Sequence, residues 1–273
     1  MDPVQAFVLG LVQGLTEWLP VSSSGHLVIF QQAMGVRVPV TFDVLLHVVT
    51  ALVVLAYLRK EVAEMFASLG RSLKRRRAGE RFSQIQKQEE GSLLAWLIVV
   101  GSFPTAIIGF VLRSMVEPLF QSLLAVGVAL IITGVVLALT FMVRTGGGKR
   151  LRTLDALVIG VAQGIAIIPG ISRSGSTISL GLFLGADRVK VVKYSFLLAV
   201  PAILGAGLAG MWGAGWESLA VDPLALLVAL ISAAVFGVLA LRLLLAVVSR
   251  ARLYLFAPYC IAIGTVLVAV IVL

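Results

Sequence analysis

Apolar residues run along this chain in long unbroken stretches, without the two-residue alternation of a half-buried strand. Gly91–Leu112, Pro118–Val143, Tyr194–Trp216, Pro223–Leu241 and Leu253–Leu273 are apolar throughout and carry no charge. A helix needs about 20 such residues to cross roughly 30 Å of hydrocarbon, so each reads as a membrane crossing. Val44–Leu58 is shorter and borrows flanking residues to make a sixth. Two further apolar regions, Pro3–Gly35 and Leu154–Ala186, are interrupted by Pro, Gly and Ser. Their first helices, Pro3–Glu17 and Leu154–Ile168, would each be about 22 Å long at 1.5 Å per residue, too short to span. Pro20 and Pro169 stop them. The Ser and Gly residues that follow restart helices by supplying N-caps and free N–H groups. The pattern predicts an all-α integral membrane protein, with six transmembrane helices and two re-entrant helix pairs.

The two interrupted regions resemble each other. Ala6–Gly25 (AFVLGLVQGLTEWLPVSSSG) falls on Ala156–Gly175 (ALVIGVAQGIAIIPGISRSG) without a gap. The identities are Ala6/Ala156, Val8/Val158, Gly10/Gly160, Gln13/Gln163, Gly14/Gly164, Ser22/Ser172, Ser24/Ser174 and Gly25/Gly175. Gln-Gly followed at fixed distance by Ser-x-Ser-Gly is more than shared apolarity. An interrupted pair plus three spans makes an odd number of crossings between the copies, so the copies are predicted to be inverted relative to each other. Residues 1–150, with a basic loop at 59–90, would be one repeat and 151–273 the other, together one membrane domain. Inverted repeats with broken helices place their breaks near the midplane, where irregular backbone is tolerated only inside protein or along a cavity.

Composition agrees. Of 273 residues 60% are hydrophobic and 13% charged, and the mean hydropathy is +1.07; a soluble domain of this size cannot hide that much apolar surface. The net charge of +9 is unevenly spread. Nine Lys or Arg lie between Arg59 and Glu90, including Lys74–Arg77, and Arg144, Lys149, Arg150, Arg152, Arg188, Lys190, Lys193, Arg250 and Arg252 fall on the same face once the spans are threaded. The opposite face has Arg37 and Arg113 against Asp2, Asp43, Glu117, Glu217 and Asp222. By the positive-inside rule the basic face is cytoplasmic. No aromatics are interleaved with the basic run as a nucleic-acid surface requires, so no nucleic-acid partner is expected. The N-terminus has Asp2 and no basic leader, so the first segment is expected to be retained. The lone Cys260 reads as a packing residue.

Arg173, in PGISRSGST (Pro169–Thr177), is a permanent cation at predicted membrane depth. Such a residue is costly there and marks function. Gly170, Ser172, Ser174, Ser176 and Thr177 surround it at a helix start, which together with a guanidinium makes a pocket for an anion such as phosphate. The first copy carries the complement, QGLTEWLPVSSSGH (Gln13–His26). Gln13 and Glu17 stand i, i+4 on one helix face; Ser22, Ser23, Ser24 and His26 follow. A hydroxyl cluster, a carboxylate, an imidazole and a guanidinium meeting at two breaks is the equipment of phosphoryl transfer through a hydroxyl nucleophile. His47, in the short span beside Asp43, could face the site, though packing is the reading favoured. A Walker A loop and a Gly-x-Ser-x-Gly elbow are both absent from the sequence.

At these residues the chain resembles the undecaprenyl pyrophosphate phosphatases of bacteria, also called bacitracin-resistance proteins. Gln13 and Glu17 leading into LPVSSSGH match one motif; Pro169, Gly170, Ser172, Arg173, Ser174 and Thr177 match the other; and Ser195–Ala202 (SFLLAVPA) is similar as well. The resemblance implies hydrolysis of the terminal phosphate of a C55 polyprenyl diphosphate, regenerating the monophosphate carrier for cell-wall synthesis. It implies Ser23 as nucleophile, Glu17 as its activator, His26 as acid/base or alternative nucleophile, and Arg173 as diphosphate clamp, with Gln13, Ser22, Ser24, Gly170, Ser172, Ser174 and Thr177 binding substrate. It also implies a divalent cation, Mg²⁺ or Ca²⁺, with Glu17 as its candidate protein ligand. Gln13 stands where many relatives have a second Glu, which removes one carboxylate from that ligand set. The expected partners are the lipid substrate, membrane lipid and a second copy of the chain in a homodimer. The expected location is the bacterial inner membrane, with the site open to the outer face. A lipid-phosphate transporter or flippase on the same repeat is the alternative.

Overall fold

The computed structural model describes residues 1–143, 148–214 and 221–272; Arg144 and Glu217, counted above on the two faces, lie outside the described residues. Regular structure among the described residues is helical: α1 (Pro3–Trp18), α2 (Ser23–Ala33), α3 (Val40–Tyr57), α4 (Arg59–Arg77), α5 (Phe82–Gln88), α6 (Glu90–Val116), α7 (Leu123–Leu139), α8 (Thr153–Ile165), α9 (Arg173–Phe183), α10 (Arg188–Ala214), α11 (Pro223–Ser249) and α12 (Ala257–Val272). Six helical stretches are long and apolar enough to cross a membrane: Val40–Tyr57, Glu90–Val116, Leu123–Val143, Arg188–Ala209, Pro223–Ser249 and Leu253–Val272. They are the six stretches read from the sequence, and they make this a multi-pass membrane protein.

The basic segment 59–90, the loop between two spans, is itself largely helical and folds into α4 and α5. Local charge explains the order. Arg71 donates to Glu64 and Glu89, and Arg75 to Glu80, while Ser68 Oγ donates to Glu89 at 2.8 Å and accepts from the Ser92 amide at 2.9 Å. The hydrogen bonds from Arg71 and Ser68 hold the Glu89 carboxyl below the ordinary glutamate range.

The interrupted regions each form two short helices around a break. Asp2 and Gln5 close a capping box at the start of α1, with Pro3 in the first turn. The helix ends at Trp18 because Leu19, preceding Pro20, is extended with ψ 147°. Ser22, at φ 70°, then caps α2 by accepting from the Gly25 amide. In the second region α8 ends at Ile165, three residues short of the expected Ile168, because the amides of Ile167 and Ile168 bond three residues back and tighten the chain. Gly170 has φ 95°, a conformation a side chain resists, and Ser172 caps α9 through the Gly175 amide at 3.1 Å.

Packing is reciprocal between the two parts of the chain. α1 lies on α11 while α8 lies on α6; α7 pairs with α12 and α3 with α10. Glycines set the closest approaches. A Cβ on Gly10 would collide with the Ala229 carbonyl and one on Gly14 would lie 2.5 Å from that of Ala233, whereas Gly160 faces the Gly101 backbone and Gly164 faces Ile108. Two of the shared Gly identities of the repeat are thus helix-contact positions, the small-residue packing that bilayers favour. Gly10→Ala is expected to destabilise by about 1–3 kcal/mol, read as a lower melting temperature in detergent. Gly70→Ala, on an exposed helix with nothing within 4 Å, is expected to be neutral or mildly stabilising. Equal effects would remove the packing explanation. Trp18 and Phe196, edge to face at 5.0 Å, belong to the main buried cluster beneath the two breaks.

Candidate functional site

The two breaks meet. Ser22 Oγ accepts from the Gly170 amide at 3.1 Å, and Ser174 Oγ donates to the Leu19 carbonyl at 3.1 Å. Gly25 packs so closely on Gly170 that an added Cβ would lie 3.2 Å from its Cα. Thr133 of α7 bridges the second turn, donating to the Gly170 carbonyl at 2.9 Å and accepting from the Ser172 amide at 3.0 Å. Thr177 Oγ1 donates to the Arg173 carbonyl at 2.8 Å and lies 2.6 Å from Ser195 Oγ of α10. Ser22, Ser172, Ser174 and Thr177 are all buried. Their hydroxyls satisfy backbone groups that water cannot reach, so they hold the turns in contact.

Three side chains converge on Glu17 from this scaffold. Glu17 stands in the last turn of α1, Ser23 opens α2, and Arg173 opens α9. Arg173 Nη2 donates to Glu17 Oε1 at 2.5 Å. Ser23 Oγ donates to Glu17 Oε2 at 2.6 Å, and Gln13 Nε2 donates to the same oxygen at 3.0 Å, as the i, i+4 spacing predicts. The guanidinium lies over the Trp18 ring, 5.1 Å from its centroid, a cation–π contact. The Glu17 carboxylate is 4% exposed, whereas Arg173 is 16% exposed and Ser23 is also partly exposed. A buried carboxylate is tolerable only when paired and hydrogen-bonded, and here both oxygens are. The cluster's open side is therefore the hydroxyl and the guanidinium. Arg173 Nη1 is buried and lacks a hydrogen-bond partner, so the guanidinium keeps donors that no protein group uses.

The two histidines stand differently toward the cluster. His26 Nδ1 is 2.8 Å from the Ser22 carbonyl and Nε2 is 2.8 Å from the Tyr259 hydroxyl of α12, with the rings stacked at 5.7 Å. A carbonyl only accepts, so Nδ1 carries the proton, and in the neutral ring Nε2 accepts from Tyr259. Both nitrogens are engaged, and neither is bonded to Glu17, Ser23 or Arg173. His47, read from the sequence as packing, is instead at the cluster: its Nε2 lies 3.5 Å from Glu17 Oε2, with Nδ1 held by the Asp43 carbonyl at 2.7 Å. The signal that could have found it is that His47 is the one Asp, Glu, His, Lys or Arg within Val44–Leu58, and such residues face the bundle interior. Ser24 Oγ lies 3.4 Å from Ser22 Oγ. Cys260 is buried with Sγ 3.6 Å from the Pro20 carbonyl, the packing role expected.

Protein donors for a cation are few. Among the described residues no three His, Cys, Asp or Glu gather at one point. Glu17 supplies the cluster's carboxylate, and the buried Gln13 Oε1 has no hydrogen-bond partner. That set fits a divalent ion completed by substrate phosphate oxygens, the manner in which Mg²⁺ is usually bound.

A family model described as Bacitracin resistance protein BacA matches residues 6–266. An "Undecaprenyl-diphosphatase" of Desulforapulum autotrophicum is 44% identical over 275 residues, covering 97% of each chain. One of Desulfosudis oleivorans is 46% identical over 269 residues with the same coverage. One of Korarchaeum cryptofilum is 38% identical over 272 residues, covering 99% of this chain and 100% of its own.

Proposed function

We propose a function from one premise: the chain belongs to the Bacitracin resistance protein BacA family. The activity is hydrolysis of undecaprenyl diphosphate to the monophosphate and inorganic phosphate, the reaction its relatives' names describe. The observation that carries this reading is the buried carboxylate of Glu17, which holds the Ser23 hydroxyl on one oxygen and the Arg173 guanidinium on the other. Glu17 takes the Ser23 proton as Oγ attacks the terminal phosphorus. A bond forms between Oγ and phosphorus, and the bond from phosphorus to the bridging oxygen breaks, releasing the lipid monophosphate. Water then attacks the phosphoserine; it forms the new phosphorus–oxygen bond, and Oγ leaves with a proton. Arg173 holds Glu17 with Nη2 and offers Nη1 to the phosphoryl oxygens, where charge grows in the transition state. Glu17 and Gln13 Oε1 would hold a divalent cation together with the substrate's own phosphate oxygens, and the ion would neutralise part of the substrate's charge. The test is phosphate release from a polyprenyl diphosphate by the pure protein in detergent; its absence with and without Mg²⁺ or Ca²⁺ would sink the proposal.

In this reading His26 holds the nucleophile's turn. Ser22 has a backbone conformation that is rare outside glycine, and the His26 Nδ1–H fixes its carbonyl one residue before Ser23. Asn can place an N–H near the position of Nδ1. His26→Asn is therefore expected to keep turnover within about tenfold of wild type, while His26→Ala loses much more. A His26→Asn protein as dead as the alanine variant would return His26 to acid/base chemistry.

The fold is read as two inverted repeats, 1–150 and 151–273, each a re-entrant helix pair followed by three spans. The reciprocal pairing of α1 with α11 and α8 with α6 supports it, as does the parity of the crossings. The basic segments then lie in the cytoplasm of a cell whose inner membrane holds the protein, and the α1–α2 break opens from the outer face. All the groups of the cluster come from one chain, so the reading needs no second copy.

A further inference from the structure

α4 has one face the bundle uses and one it leaves bare. The used face carries Glu64, Ser68, Arg71 and Ser72. Ser68 bonds Ser92 and Glu89, and Gly91 sits so close that a Cβ there would lie 2.7 Å from the Glu64 carbonyl. The opposite face presents Phe66, Leu69 and Leu73, 65%, 40% and 56% exposed, spaced i, i+3, i+7 as one helical stripe. Val62, one turn earlier, packs against the main buried cluster, so the stripe continues the apolar flank of the bundle.

Charge lies beside the stripe. At 100° per residue Arg76 and Arg77 flank Leu69 and Leu73, with Lys74 in the same turn. The carboxylates of the segment are taken by Arg71 and Arg75, paired to Glu64, Glu80 and Glu89. Among the described residues none pairs with Lys74 or Arg77, and Arg76 reaches only the Glu80 carbonyl at 3.4 Å. The helix also begins at the right depth. One residue, Leu58, separates it from the span α3, and Glu61–Lys193 and Glu90–Lys190 ion pairs collect charge at the ends of the neighbouring spans, where hydrocarbon gives way to water. A polyanion in solution would have no use for Phe66, Leu69 and Leu73. A bilayer surface uses both features, since apolar side chains enter the acyl boundary and cations meet headgroup phosphate.

We propose that α4 is an interfacial helix that docks on anionic lipid, with Phe66, Leu69 and Leu73 inserted below the headgroups and Lys74, Arg76 and Arg77 bound to their phosphates. The partner is the charged leaflet itself. The inference is independent of the catalytic reading.

The test uses the full chain with Cys260→Ser and a nitroxide label at Leu69→Cys, in nanodiscs holding one chain each, made with phosphatidylglycerol or with phosphatidylcholine alone. The readout is the label's collision rate with oxygen relative to a nickel chelate. In phosphatidylglycerol discs the ratio should lie well above that at Gly79→Cys and approach that of a label at the lipid-facing Leu239→Cys, which sits near the middle of its span. It should fall severalfold in phosphatidylcholine, and again when Arg76→Gln and Arg77→Gln are added. A ratio in anionic discs equal to that at the exposed turn position Gly79→Cys overturns the proposal. So does a ratio that ignores both headgroup charge and the arginine substitutions. A label at Leu73→Cys repeats the measurement should position 69 disturb the helix.

Discussion

Ser23→Ala is expected to lower kcat for phosphate release by about 10⁴-fold or more, the scale on which removing a catalytic hydroxyl acts. The loss should fall on kcat with KM little changed. Arg173 and the helix starts, to which the proposal gives diphosphate binding, remain, and in that proposal Ser23 contributes its bond to phosphorus only on the way to the transition state. Acid-quenched wild-type protein should carry phosphate on Ser23 during turnover, and the alanine variant should carry none. Turnover within tenfold of wild type would show that Oγ is not the attacking atom. The geometry makes the variant clean. Ser23 is partly exposed and its hydroxyl touches only Glu17, whose second oxygen and Gln13 contact persist, so the fold should be unaffected.

Arg173→Lys is expected to cost about 10²–10³-fold in kcat/KM, the range for removing a preorganised transition-state donor. Charge alone is not what the site uses. The planar guanidinium gives Nη2 to Glu17 while keeping Nη1 unpaired, and it stacks on Trp18. A lysine ammonium is a point charge and cannot divide itself in this way. Arg173→Gln should behave differently. It leaves Glu17 buried without a cation, and breaking a buried pair by removing one partner costs about 3–5 kcal/mol, so the glutamine variant should melt earlier in detergent as well as turn over slowly. A lysine variant with wild-type turnover would reduce Arg173 to a structural counter-ion of Glu17.

Much of this arrangement is legible in the residues alone, and the boundary is physical. Span lengths show because hydrocarbon thickness demands them, and the short helices show because Pro20 and Pro169 end them. Gln13 and Glu17 fall together because both belong to one helix. The meeting of Ser22 with Gly170 could be anticipated because the repeat implied two breaks at one depth. What sequence does not carry is contact between distant elements. Tyr259 is 233 residues from His26, and no local pattern says that its hydroxyl engages the imidazole. Thr133 and Ser195 likewise reach the second turn from other helices. The serines near the breaks look like pocket lining because hydroxyls suit phosphate; buried backbone polar groups claim Ser22, Ser172, Ser174 and Thr177 first. His47 could face the site from its span, but a lone histidine there more often packs, and α4 and α5 lie in a connection between spans that the sequence marks only as basic.

The exchange of partners between α1 and α11, and between α8 and α6, has a consequence for biogenesis. The chain enters the membrane from its beginning, and α1 must wait for a companion that starts at Pro223. Until then Glu17 has no guanidinium beside it, because Arg173 too is made late. A half-synthesised chain therefore holds an unneutralised acid and an unmet glycine face in the bilayer. Such an intermediate is a natural client for the insertion machinery, and it becomes competent for chemistry only when the last third of the polypeptide arrives.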